Sequence, residues 1–104
     1  MSMDSDDKII VYVDSDIKDL VPGFLENRKK DITSIIDALT ENDYETIRII
    51  GHSMKGSGGG YGFDNISDIG RLLEQGTKTR NAIEIRKCVE RLSEYLERVT
   101  VVYK

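Results

Sequence analysis

The chain has 104 residues, 38% of them hydrophobic and 33% charged, with a net charge of −4. This is the length of one domain, with enough apolar content to fold around a modest core without disulfide or metal staples. The acidic balance and the lack of a dense basic stripe exclude a dedicated nucleic-acid binder, and no apolar run approaches membrane-spanning length.

Residues 1–7 are polar and acidic and are expected to be mobile. Lys8 to Val13 is rich in β-branched residues and suits an extended segment. No second strand-like run is evident to pair with it, so an arm lying along the domain is expected. Asp14, Ser15 and Asp16 are candidate caps for the first helical segment. The division is therefore an N-terminal extended or mobile arm over 1–15 and a single helical domain over 16–104.

Ile17 to Leu39 carries apolar residues at three- and four-residue spacing: Leu20, Val21, Phe24, Leu25, Ile32, Ile35, Ile36 and Leu39. Pro22 belongs in a first turn, which predicts a short helix to about Leu20 and a main helix from about Val21. Arg28-Lys29-Lys30 reads as a solvated face. Asn42 or Asp43 caps a second helix from Tyr44 to about Gly58, where three consecutive glycines should end it. Tyr44, Ile47, Ile50, Gly51, Met54 and Gly58 share its inward face. Glu45, Arg48, His52, Lys55, Gly56 and Gly59 share the other. Asp64 or Asn65 caps a third helix to about Gln75, with Gly76 just past its end. Asn81 caps a fourth helix to about Val102, its stripe running through Ile85, Cys88, Val89, Leu92, Leu96, Val99 and Val102, with Tyr95 and Tyr103 at its edges. The fold class is all-α: an antiparallel up-down-up-down four-helix bundle with a short N-terminal extended or helical arm.

Cys88 is the only cysteine, so no internal disulfide can form, and the acidic N-terminus does not resemble a secretory leader. A reducing, cytoplasmic setting is the expectation. No exposed apolar stripe demands a dimer, so a monomer is expected.

The stretch from Gly51 to Gly62 holds the only histidine and six of the nine glycines. His52 lies opposite Ile47, Ile50 and Met54, which predicts an exposed imidazole, and a neutral imidazole is a competent nucleophile. Lys55, one turn on, can hold an anion carried by His52, and Arg48, one turn back, is a further candidate for that role. Gly56 leaves the surface beside His52 bare, so another protein can reach it. A lone surface histidine is ordinarily just solvated polarity; it is the spacing His-x-x-Lys-Gly on a polar helix face that points to phosphoryl chemistry. The glycines do not form a nucleotide-binding Gly-x-x-x-x-Gly-Lys-Ser/Thr loop. Asp64 and Asp68 share a face but make no metal site by themselves.

The run His52-Ser53-Met54-Lys55-Gly56-Ser57-Gly58-Gly59-Gly60-Tyr61-Gly62 resembles the signature of histidine-containing phosphotransfer (HPt) domains. Ile66 and Leu72-Leu73-Glu74 resemble the family's next helix. The resemblance implies that His52 is the phosphoacceptor, Lys55 supports the phosphate, Gly56 clears the docking surface and Gly62 turns the chain. It further implies a phosphorelay carrier on which His52 Nε2 takes a phosphoryl group from a receiver-domain aspartate and yields it to another. Response-regulator receivers, a hybrid histidine kinase or both are the implied partners. Any Mg²⁺ belongs to the receiver, with no cofactor in this chain, and the protein acts as a stoichiometric carrier, not a turnover enzyme. Two other readings stand beside it: a four-helix interaction module that binds a receiver or kinase without being phosphorylated, and a small metal- or haem-binding bundle, which one histidine supports poorly. Gly58, Gly59 and Gly60 depart from the Ser, Ala or Asn common in the family.

Overall fold

The structure is a computed structural model and describes residues 8–104; the mobility expected of residues 1–7 lies outside the described residues. Strand β1 (Ile9–Val13) leads through a 3₁₀ turn (Ser15–Leu20) into four helices: α1 (Val21–Thr40), α2 (Tyr44–Tyr61), α3 (Asp64–Lys78) and α4 (Ala82–Arg98). Strand β2 (Val99–Tyr103) comes last. The all-α bundle is as expected, with a two-stranded sheet added to it.

Local chemistry explains the divisions. Asp14 accepts from the Asp16 amide at 2.9 Å and starts the 3₁₀ turn. The chain kinks at Ile17, and Pro22 falls in the first turn of α1, where its missing amide costs nothing. Asp43 caps α2 by accepting from the Thr46 amide, and Asn81 caps α4 by accepting from the Glu84 amide. Ile35, Ile47, Met54, Ile69, Leu73 and Leu92 meet in the core with no exposed surface. Leu20 and Ile36, both placed on the α1 stripe, are exposed at 55% and 41%.

Several expected boundaries are corrected. The fourth helix stops at Arg98, and Val99–Tyr103 pairs in parallel with β1, Ile9 opposite Val99 and Val13 opposite Tyr103. Val99 and Val102 continue the helical spacing of α4. The β-branched run and its alternating burial nevertheless fit a strand, and β1 supplies the partner that the arm was thought to lack. Tyr95, placed at the edge of the α4 stripe, is 4% exposed. Burial, with Asp64 nearby, pushes its phenol up to about 12, and its hydroxyl has no hydrogen-bond partner among the described residues.

α2 runs through the triple glycine to Tyr61 and ends at Gly62, whose φ of 90° is left-handed. α3 begins after Phe63, without a side-chain cap, and passes through Gly76 to Lys78. Gly76 is buried because the Ile85 side chain occupies the space of a methyl: an added Cβ would lie 3.0 Å from it.

The glycines of α2 and α3 set how close these helices come. A Cβ at Gly70 would lie 2.5 Å from Gly51 O and Lys55 N, and one at Gly58 would lie 2.6 Å from Ser67 N. Gly51, expected to face inward for packing, meets Gly70 O and Leu73 Cβ at 2.9 Å by the same measure. The two backbones therefore pack with no side chain between them at these points, and Ser67 Oγ seals the contact by donating to Lys55 O at 2.7 Å. This close seam fixes α3 relative to the middle of α2, where His52 lies.

Candidate functional site

His52 sits midway along α2 with its side chain 69% exposed. Its Nδ1 lies 3.1 Å from Oε2 of Glu74, which reaches across from α3 and is itself only 17% exposed. A carboxylate can only accept, so in the neutral ring this contact places the proton on Nδ1 and leaves the lone pair on Nε2. The other carboxylate oxygen, Oε1, is 2.8 Å from Lys55 Nζ. Hydrogen bonding from Lys55, and to a lesser degree from His52, holds the Glu74 carboxyl below the usual carboxylate range despite partial desolvation. One side chain of α3 thus holds two side chains of α2, and the glycine seam makes the reach possible.

Glu74 is absent from the residues expected at the site. Nothing in the spacing of α2 points to it. The signal lay on α3, where Glu74 follows Gly70 by one turn at the border of the stripe Ile66, Ile69 and Leu73, next to the helix that Gly51 allows to approach.

His52 and Lys55 meet through Glu74, each contacting one of its carboxylate oxygens. Arg48 is not at the imidazole: its Nη2 and Nε pair with Glu45 at 2.6 and 3.1 Å, a two-pronged, exposed bridge one turn back on α2. To meet an anion on His52 its guanidinium has to leave Glu45.

Around His52 the surface is low. A Cβ at Gly56 or at Gly60 would meet nothing within 4 Å, and one at Gly59 would meet only Ser67 Oγ, at 3.7 Å. Gly56 therefore leaves open space, as expected. Beyond it the triple glycine divides into an inner residue, Gly58, and an outer pair, Gly59 and Gly60. Ile49, 54% exposed, adds an apolar side chain one turn before Ser53 on the same side.

Arg28 corrects the expectation of a solvated Arg28-Lys29-Lys30 face. Its side chain is 12% exposed and bonds Asp31 at 2.8 Å. It also donates to Ser57 Oγ on α2 at 3.4 Å and lies 4.7 Å from the Phe24 ring centroid. Burial raises the Asp31 carboxyl in spite of this partner. Phe24 in turn stacks on Tyr61 at 4.4 Å, so α1 is clamped to α2 through Ser57 and Tyr61, away from the bare surface at Gly56 and Gly60.

Among the described residues, no group of three or more His, Cys, Asp or Glu side chains could hold a metal ion, and Asp68 instead pairs with Arg71 and Arg91. Cys88 is buried, and burial raises its thiol. No described helix is long and apolar enough to cross a membrane.

No curated protein and no solved structure matches the chain. The family model of the Hpt domain matches residues 19–100, which span the four helices and the site. The chain belongs to the Hpt domain family, the histidine phosphotransfer modules of two-component systems.

Proposed function

We propose that this protein is a carrier in a phosphorelay, taking a phosphoryl group onto His52 Nε2 from a receiver-domain aspartate and yielding it to a second receiver. The observation that carries this reading is the His52–Glu74 contact, which directs the exposed imidazole's free nitrogen away from its own bundle. In the step, the Nε2 lone pair attacks phosphorus, the bond from phosphorus to the aspartyl oxygen breaks, and the aspartate carboxylate leaves. The ring keeps its Nδ1 proton and gains positive charge, which the Glu74 carboxylate opposes across the 3.1 Å contact. Lys55, now on Glu74, is one helical turn from His52, and on this reading it turns to pair with the added phosphoryl oxygens. The reverse of the same step discharges the carrier, so it is used stoichiometrically and does not turn over.

Phosphoryl transfer is mainly positioning and charge stabilisation. The receiver brings the acyl phosphate and its own Mg²⁺; this chain supplies the nucleophile and a surface that the receiver can approach. Gly56 and Gly60 keep that surface low, and Ile49 gives it an apolar contact. Receiver domains, free or fused in a hybrid histidine kinase, are the partners this reading requires.

The test is transfer of radiolabel from phosphorylated receiver domains of the host. An acid-labile, base-stable phosphoprotein is expected, lost in His52→Gln with unchanged helical circular dichroism. Labelling that survives the substitution contradicts the assignment. A receiver that binds but never labels the chain favours a pure interaction module.

A further inference from the structure

The strands carry a surface that phosphotransfer does not use. One face of the sheet lies on the bundle: Val13 is buried, and Ile9, Val11, Val99, Val101 and Tyr103 pack against the core. The other face is open, with Ile10 53%, Tyr12 61% and Val102 39% exposed. This face is an exposed apolar surface of the kind whose absence underlies the expectation of a monomer.

The outer edge of β1 is also open. Val13 O accepts from Lys104 N at 3.0 Å, so Val13 turns its main-chain groups towards β2. By alternation Val11 and Ile9 do the same, while Ile10 and Tyr12 turn theirs to the outer edge. Among the described residues no strand lies beside that edge. An open groove of about 320 Å³ runs along it, bounded by Gly62, Asp64 and Asn65. The α2–α3 turn comes close to that edge at Tyr12, where a Cβ at Gly62 would lie 3.9 Å from Tyr12 O; because the residue is glycine, only its backbone stands there.

The charges at the strand ends say what fits. β1 is bracketed by Lys8 and Asp14, and β2 by Arg98 and Lys104. Set antiparallel against its own copy about Val11, β1 places Lys8 opposite the partner's Asp14, twice over. It also places Ile10 opposite the partner's Tyr12, an aromatic and a β-branched side chain on the exposed face. The same operation on β2 offers no such pair: its leading residue Arg98 ends α4 and already meets Glu94 at 3.6 Å. Asp14 gives one oxygen to the Asp16 amide, and neither it nor Lys8 forms an ion pair among the described residues.

We propose that two copies of this chain associate through their β1 edges, forming a four-stranded sheet of order β2–β1–β1–β2 about a twofold axis at Val11. The interface is self-complementary, as a twofold requires. It leaves both phosphotransfer sites free, because His52 stands ten residues along α2 from Gly62, roughly 15 Å. One strand pair buries less than the ~1,200–2,000 Å² of a standard interface, so the dimer is weak, with a dissociation constant on the order of 100 μM.

Sedimentation equilibrium from roughly 10 μM to about 1 mM tests this, a range that brackets such a constant. The expected result is a mass rising with concentration from the 11.8 kDa monomer towards a dimer. Lys8→Asp sets carboxylates against carboxylates and should weaken association about tenfold, and adding Asp14→Lys should restore it. Tyr12→Pro removes an amide that faces the outer edge and not β2, so it should abolish association while the fold persists. Hydrogen exchange reads the same edge in the unmodified chain: the Ile10 and Tyr12 amides should gain protection with concentration, while those of Val11 and Val13 stay protected throughout. A monomer across the whole range overturns the proposal. So does self-association that Lys8→Asp and Tyr12→Pro leave unchanged, or an Ile10 amide whose exchange ignores concentration.

Discussion

Gly70→Ala tests whether the glycine seam sets the spacing of the site. The new Cβ would stand 2.5 Å from Gly51 O and Lys55 N and 3.0 Å from Met54 Cβ. Two of these three neighbours are backbone atoms of α2 that cannot swing aside. Carbon contacts are most favourable at about 3.5–4.0 Å, so α3 has to shift by about 1 Å. Overpacking of this kind costs about 1–3 kcal/mol, against a gain of about 1 kcal/mol for replacing a helical glycine. With unyielding backbone at 2.5 Å on two sides the upper half of that cost applies, about 2–3 kcal/mol, so the net expectation is a loss of about 1–2 kcal/mol. Gly60→Ala is the matched control: nothing lies within 4 Å of its Cβ, so only the gain of about 0.5–1 kcal/mol remains. Urea unfolding of both variants, with equal m-values, measures the difference. Glu74 moves with α3, so in Gly70→Ala its contacts to His52 and Lys55 should lengthen and phosphotransfer should slow. A Gly70→Ala protein as stable as wild type, or a Gly60→Ala protein that loses more, would refute the reasoning.

Three other substitutions probe separate parts of the molecule. Gly56→Leu fills the bare surface beside His52 and should cut transfer from a receiver at least tenfold while leaving stability within about 1 kcal/mol; unchanged transfer kinetics would remove Gly56 from the docking face. Glu74→Gln keeps the shape but loses the charge, so transfer should fall by several-fold to about tenfold. The Glu74 carboxyl is held below its ordinary 4.5 by Lys55 first and His52 second, so its contribution to stability is present above 4.5 and is lost as pH falls through the lower folded value. Acid unfolding of Glu74→Gln should therefore be shallower below 4.5, and identical profiles would count against the contact. Tyr95→Phe deletes a buried hydroxyl without a partner and should be neutral or stabilising by up to about 1 kcal/mol. The Tyr95 phenol rises from 10.0 to about 12 on folding, so above pH 10 the unfolded chain loses its proton first and stability falls. That alkaline loss should shrink in Tyr95→Phe, as urea midpoints across the range would show.

What was legible in the sequence was local. Asp43 and Asn81 announce their helices because a cap acts on amides two or three residues away. Pro22 marks the start of α1 for the same kind of reason. His52 and Lys55 share a face by helical spacing alone, and Gly56 beside them needs no tertiary information. What was not legible depended on a distant partner. Val99 and Val102 fit the α4 stripe as well as a strand, and only β1, at the other end of the chain, decides between them. The glycines of 58–60 look like a helix end until Ser67 backs onto Gly58 and gives that glycine a packing reason. Phe63 displaced Asp64 and Asn65 as the residue before α3 because it is buried in the core, with no exposed surface. Glu74 becomes a site residue only through the approach of α3 to α2, which depends on glycines from both helices.

On the proposed reading His52 carries the phosphoryl group on the nitrogen that Glu74 leaves free. Phosphorus–nitrogen NMR of ¹⁵N-histidine-labelled protein, charged by a phosphorylated receiver, reads it directly. A single phosphoramidate is expected, coupled to Nε2 of the one histidine, with the Nδ1 proton retained. Phosphorus on Nδ1, or a charged protein with no phosphorus on His52, would contradict it.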